Sequence, residues 1–126
     1  MRIMFILFGL CVVSSCATKF DNNNYERLVS LVVDTRDSQA VCSTSESINT
    51  TLSTVKSIAI TAMENSAGRD DVDIHDMLVN FVDETQRFQN RIFKGPISAT
   101  YCQNKIKNLN DTARIIEQAE GEKLRS

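Results

Sequence analysis

Several residue types that carry chemistry are scarce in this chain. Its 126 residues include one histidine, His75, one proline, Pro96, and four glycines. With one imidazole and each cysteine standing alone, the spacing of a zinc site is missing. One glycine, Gly9, lies in an apolar leader, and the others form no loop that could cradle a phosphate. A Ser-His-Asp set needs an oriented imidazole, a buried carboxylate and an oxyanion hole, and no nucleophile motif accompanies His75. Glu46, Glu64, Glu84 and Glu117 are scattered over helix-surface positions. The sequence therefore points to no catalytic residue, no metal ligand set and no cofactor. Positive charge is not in excess either: 14 Lys and Arg stand against 16 Asp and Glu, a net charge of -2. No basic field exists to draw in nucleic acid, so a nucleic-acid partner is not expected.

Long apolar runs are equally rare. The one from Ile3 to Val13 is about half of the roughly 20 residues that a membrane-crossing helix needs. Arg2 precedes it and small residues come after it, which is the layout of a secretory signal peptide. Beyond it remain roughly 110 residues, enough for one domain with one core.

The end of that leader carries a resemblance. Val13-Ser14-Ser15-Cys16 resembles the lipobox of bacterial lipoproteins: an aliphatic residue, two small ones, and the cysteine that receives lipid. The resemblance implies residues 1–15 as a lipoprotein signal peptide, Cys16 as the lipidation site and a membrane held through that lipid as a partner. Ala17 occupies the sorting position, where Asp would retain the protein at the inner membrane. Ala17 thus implies the periplasmic face of the outer membrane in a Gram-negative host. Each buried methylene of an acyl chain contributes about 0.8 kcal/mol, so two or three chains make a durable anchor. The alternative is ordinary secretion, with cleavage after Ala17 in the small-x-small sequence Ser15-Cys16-Ala17. Asn49-Thr50-Thr51 and Asn110-Asp111-Thr112 would then be formal glycosylation sequons.

With Cys11 in the leader and Cys16 assigned to lipid, Cys42 and Cys102 remain. An exported domain with two such cysteines is expected to join them, because its compartment is oxidising. Two buried free thiols are the other reading.

The rest of the chain reads as helix. Residues 16–24 form a polar tether, and Asp21 or one of Asn22, Asn23 and Asn24 can cap the first helix. Tyr25, Leu28, Leu31, Val32, Thr35, Gln39 and Cys42 recur at helical spacing, which predicts that helix from about Asn23 to Val41. Leu31-Val32-Val33 would also suit a strand, but Asp34, Arg36 and Asp37 spoil the alternation. Ser43 and Glu46 make a capping-box pattern before a second helix, about Ser45 to Ser66, with Ile48, Leu52, Val55, Ala59 and Ala62 inward. Its Ser and Thr residues between Thr50 and Thr61 lower helix propensity. Lys56 to Thr61 could alternate as a strand, though a lone strand would have no partner. Gly68 can take a left-handed conformation after that helix.

Asp70, Asp71, Asp73 and Asp76 suggest a calcium loop, but Asp76 and Val82 stand where such a loop has Gly and Glu. Acidic residues in a first helical turn are the better reading. Ile74, Met77, Leu78, Phe81, Val82, Thr85, Phe88 and Ile92 then mark a third helix, about Asp71 to Phe93, with Arg87, Arg91 and Lys94 complementing the dipole at its end. Lys94-Gly95-Pro96 breaks the chain. Ser98 offers a cap for a fourth helix, about Ile97 to Glu120, with Cys102, Ile106, Leu109, Ala113 and Ile116 inward. Residues 121–126 read as a frayed tail.

The expected fold is all-α: an up-down-up-down four-helix bundle over residues 25–120, with one disulfide. In that topology Cys42 and Cys102 fall at the same end, on adjacent helices. Phe81, Phe88, Tyr25 and Tyr101 are expected to fill the core.

A second, looser resemblance covers most of the chain after the leader. Cys16-Ala17-Thr18 with Asp21-Asn22-Asn23-Asn24-Tyr25, and Tyr101-Cys102 with Lys105 and Asn108-Leu109, are similar to small lipoproteins encoded by tailed phages and prophages. It implies a non-enzymatic envelope lipoprotein acting on a protein partner, as in superinfection exclusion. A spanin-like lysis subunit is an alternative, although such subunits are proline-rich and this chain has only Pro96. A secreted four-helix factor or inhibitor without lipid is the third.

Overall fold

The computed structural model describes residues 21–42, 45–68 and 72–125. Helix α1 spans Asn22–Asp37 and runs into a 3-10 turn, Ser38–Val41; α2 spans Ser45–Gly68, α3 Val72–Phe93 and α4 Ala99–Gly121, with a second 3-10 turn over Glu122–Arg125. Both segments with some strand character, Leu31 to Val33 and Lys56 to Thr61, are helical. The cap proposed at Ser43 lies outside the described residues.

Local chemistry sets the helix ends. The Asp21 carboxylate accepts from the Asn24 amide at 3.2 Å and starts α1, while Ser98 does the same for Tyr101 at 3.1 Å and starts α4. Each satisfies an amide that has no partner inside its helix. Gly95 ends α3 at φ 151°, a backbone value that side-chain-bearing residues avoid. Gly68, expected to turn left-handed, instead stays in the last turn of α2; among the described glycines only Gly95 has positive φ. The hydroxyl-rich stretch of α2 is accommodated by back-bonding. Thr51, Thr54 and Thr61 donate to the carbonyls of Ser47, Thr50 and Ser57 at 2.9, 3.3 and 3.1 Å.

The helices form a ring in which each lies against its neighbours in chain order and α4 closes onto α1. Contacts between helix ends fix the directions. Asn24 at the start of α1 bonds Ser66 at the end of α2, His75 at the start of α3 meets Met63 in α2, and Phe88 late in α3 meets Tyr101 early in α4. Tyr25 at the start of α1 bonds Glu117 late in α4. Every adjacent pair is antiparallel, which makes the fold an up-down-up-down bundle.

The core keeps closely to the expected stripes. Leu28 and Leu31, then Ile48, Leu52, Val55, Ala59 and Ala62, then Ile74, Leu78, Phe81, Phe88 and Ile92, and finally Cys102, Ile106, Leu109, Ala113 and Ile116 are all buried. Two of the expected core positions need correction. Gln39 is exposed and Ser38 buried, because the tighter 3-10 winding after Asp37 rotates the next residues off the α-helical register. Tyr25 and Tyr101 are half-buried rim residues, since their hydroxyls favour water or a polar partner over the core. Beyond α4, residues Glu122–Arg125 wind as a 3-10 turn.

Candidate functional site

Two of the cysteines are bonded to each other. Cys42, just past the turn that ends α1, and Cys102, in the first turn of α4, are joined with Cα atoms 5.8 Å apart. Cys102 is buried and Cys42 is half-buried. The bond sits at the end of the bundle opposite Asp21, so the chain enters at one end and is stapled at the other. Cys16 and its lipobox lie outside the described residues.

Polar groups inside the bundle tie the helices together. Asn110, nine-tenths buried on α4, donates through Nδ2 to the Val32 carbonyl at 2.8 Å and the Thr35 hydroxyl at 2.9 Å. Thr35 in turn donates to the Leu31 carbonyl at 2.8 Å. On the opposite side Gln89 of α3 donates to Ser53 of α2 at 3.0 Å and accepts from Lys56 at 2.9 Å. Glu120 is completely buried and its Oε2 lies 2.6 Å from Lys123 Nζ, a charge contact rather than an aligned hydrogen bond. Glu120 continues the inward stripe of α4 after Ala113 and Ile116. The 3.6-residue period contains that signal, but a charged residue is easily discounted there.

The Asn110 contacts bear on glycosylation. Its Nδ2 is the atom that would carry a glycan, and a glycan there could not coexist with α4 packed on α1. Asn49, the other sequon residue, is half-buried, with its Oδ1 shielded from solvent.

His75 is half-buried in the first turn of α3, and its Nδ1 lies 3.1 Å from the Met63 carbonyl. A carbonyl only accepts, so Nδ1 carries the proton and the ring serves as a strut between α2 and α3. Of the candidate calcium loop, Asp70 and Asp71 lie outside the described residues, and Asp73 and Asp76 are exposed. Among the described residues no three His, Cys, Asp or Glu side chains converge as a metal site, and no helix is long and apolar enough to cross a membrane. Tyr25 donates to Glu117 Oε1 at 3.2 Å. That bond, and then the negative charge itself, hold the phenol proton and raise its pKa above 10.0.

Two open grooves mark the looser seams. One, about 360 Å³, runs between α3 and α4 over Asn80, Glu84, Phe88, Lys105, Asn108, Leu109 and Thr112. The other, about 370 Å³, lies between α1 and α2 and is lined by Asp34, Asp37, Ser38, Thr50, Thr51, Thr54 and Val55. Where the first groove reaches the stapled end, Tyr101 sits with its ring against Phe88, centroids 6.1 Å apart, and carries two cations. The Arg91 guanidinium is 5.8 Å and the Lys105 ammonium 5.6 Å from the ring centre, within cation–π range. Both grooves are lined mostly by hydroxyl, amide and charged side chains. Their chemistry suits hydrogen bonding and charge pairing with another molecule.

No family model, curated protein or solved structure matches the chain.

Proposed function

We propose that this chain is an envelope lipoprotein, held on a membrane through lipid on Cys16 and acting by protein–protein contact rather than by catalysis. The observation that carries this reading is the pairing of sulfurs. With Cys42 bonded to Cys102, the cysteines left are Cys11, inside the apolar leader, and Cys16, at the acceptor position of Val13-Ser14-Ser15-Cys16. A disulfide also fits an oxidising compartment outside the cytosol. The burial of the Asn110 amide weighs against a glycosylated secreted factor, because that sequon cannot be used without unpacking α4 from α1.

On this reading the bundle is a rigid head on a short tether and performs no bond-making step. Stapling α1 to α4 keeps the far end in one shape, which lowers the ordering cost of binding a partner there. The phage-lipoprotein likeness suggests that the partner is a host envelope protein, with superinfection exclusion as the task and the outer membrane as the site. The test is metabolic labelling with palmitate in an expressing Gram-negative host, together with mass spectrometry of the mature amino terminus. Label on the parent, absent from Cys16→Ser, is the expected result. An unlabelled parent whose chain begins after Ala17 would sink the anchor and leave the secreted reading.

A further inference from the structure

The face made by α3 and α4 has a charge pattern that is complementary to itself. Its middle is the groove at Asn80, Glu84, Asn108 and Thr112. Because a helix repeats every 3.6 residues, positions three or four apart stay on one face. Going from the groove toward the end where the chain enters, that face carries Asp76 and Asp73 on α3 and Ile115 and Ala119 on α4, with Glu122 capping the end of α4. Going toward the stapled end, it carries Arg87 and Arg91 on α3, with Lys94 in the turn just past it, and Lys105 and Tyr101 on α4.

Arg87 is paired with Glu84 at 3.3 Å. Arg91, Lys94 and Lys105 at one end, and Asp73, Asp76 and Glu122 at the other, have no ion-pair partner among the described residues. Three cations and three carboxylates without ion pairs thus sit at opposite ends of one surface. Ile115, 58% exposed, adds apolar area on the acidic side of the middle.

We infer that this face binds a second copy of the chain, turned end for end. A two-fold axis through the groove would set Arg91, Lys94 and Lys105 of each copy opposite Asp73, Asp76 and Glu122 of the other. Such an interface is isologous and closes at the dimer. Helix α3 has 22 residues, about 33 Å at 1.5 Å per residue, so two α3–α4 faces offer an area on the scale of an ordinary interface, about 800 Å² per partner. A parallel pairing would oppose like charges along the whole face, and like-charge contacts are strongly penalised. The two chains enter from opposite ends of the dimer, so a pair tethered to one membrane lies along it. The dimer does not depend on the lipid anchor, and the two are tested separately.

The experiment is sedimentation velocity on the full chain, parent and Cys16→Ser, at low and high salt. A dimer that weakens as salt rises is expected. Two charge-reversed variants supply the decisive arm: Arg91→Glu with Lys105→Glu, and Asp73→Lys with Asp76→Lys. Each alone should lose self-association by at least about a hundredfold in dissociation constant, and an equimolar mixture should recover a dimer. Recovery also shows that both variants fold. Asp34→Lys with Asp37→Lys, in the α1–α2 groove, should leave the dimer intact. A parent that stays monomeric, a dimer indifferent to Asp73→Lys with Asp76→Lys, or a dimer lost on changing Asp34 and Asp37 would each overturn the proposal. If either reversed variant proves unfolded by circular dichroism, salt dependence of the parent decides: a dimer unmoved by salt refutes a charge-registered interface.

Discussion

Reducing the Cys42–Cys102 bond is the most informative perturbation of stability, because it removes a covalent constraint and leaves both side chains in place. The cysteines are 60 residues apart. On the chain-entropy relation, closing a loop of that length lowers the entropy of the unfolded chain by about 14 cal/mol/K at this scale of loop, or about 4 kcal/mol at 25 °C. At 4–8 °C per kcal/mol for a domain of this size, reduction should lower Tm by roughly 15–30 °C. The folded bundle should survive. Asn110 still holds α1 to α4 through Val32 and Thr35, Tyr25 still reaches Glu117, and domains of this kind have about 5–15 kcal/mol in hand.

The assay is urea unfolding of oxidised and reduced protein, monitored by far-UV circular dichroism. The reduced form should keep the native spectrum, unfold at lower urea and show a steeper slope, since its unfolded chain is less compact. Equal midpoints for the two forms would refute the reasoning. They would mean that the linked α1–α4 pair is already held together in the unfolded ensemble, so that the bond removes no freedom. A reduced protein with no helix would refute it differently, by showing that the noncovalent α1–α4 contacts contribute far less than their geometry implies.

Phe81 is fully buried at the centre of α3, and Phe81→Ala should cost about 3–5 kcal/mol in a urea titration through the cavity it leaves. Asn110→Ala removes both buried bonds from α4 to α1 and should cost about 1–3 kcal/mol by the same measurement. Gly95→Ala forces a side chain onto a backbone at φ 151°, so it should lower Tm although the site has open space around it. The Tyr25 phenol, tested in a Tyr101→Phe background by absorbance titration, should ionise above 10.0 and shift back toward that value in Glu117→Gln. Since its folded pKa is raised, the stability it contributes is present in full below pH 10.0 and is lost as pH climbs through the folded value. Tyr25→Phe should flatten that alkaline decline.

Helix number, order and inward stripes were legible because apolar residues on α2, α3 and α4 keep a three-four spacing over several turns. The same pattern located the staple, since chain direction alone brings the end of α1 to the start of α4. What the pattern misses has a common physical cause. A periodicity argument scores side chains as apolar or polar, and this bundle places several polar ones inward after satisfying them. Thr35 turns its hydroxyl onto the Leu31 carbonyl, Asn110 reaches across to Thr35, and Glu120 is neutralised by Lys123. The end of α1 escapes the pattern for a different reason: the change to 3-10 winding at Ser38 alters the repeat itself, so a stripe extrapolated at 3.6 lands on Gln39.

Polar positions inside the bundle also bear on how the helices find their partners. Apolar stripes of similar spacing could pair α1 with either α2 or α4, and could slide by a turn at modest cost. Asn110 removes that freedom, because its amide is satisfied only where the Val32 carbonyl and the Thr35 hydroxyl coincide. Gln89 with Ser53 and Lys56 does the same for α3 against α2. The closest helix pairs, α2 with α3 and α1 with α4, each contain one of these buried amides. The two looser seams hold the grooves, and one of them bears the segregated charges. Internal register is therefore set by the side-chain amides of Asn110 and Gln89, whose bonds are met only in one alignment of the helices. Of the surface charges segregated along α3 and α4, Arg91 crosses to the Tyr101 ring of α4, while Asp73, Asp76 and Lys94 form no ion pair among the described residues, which leaves them available to another molecule.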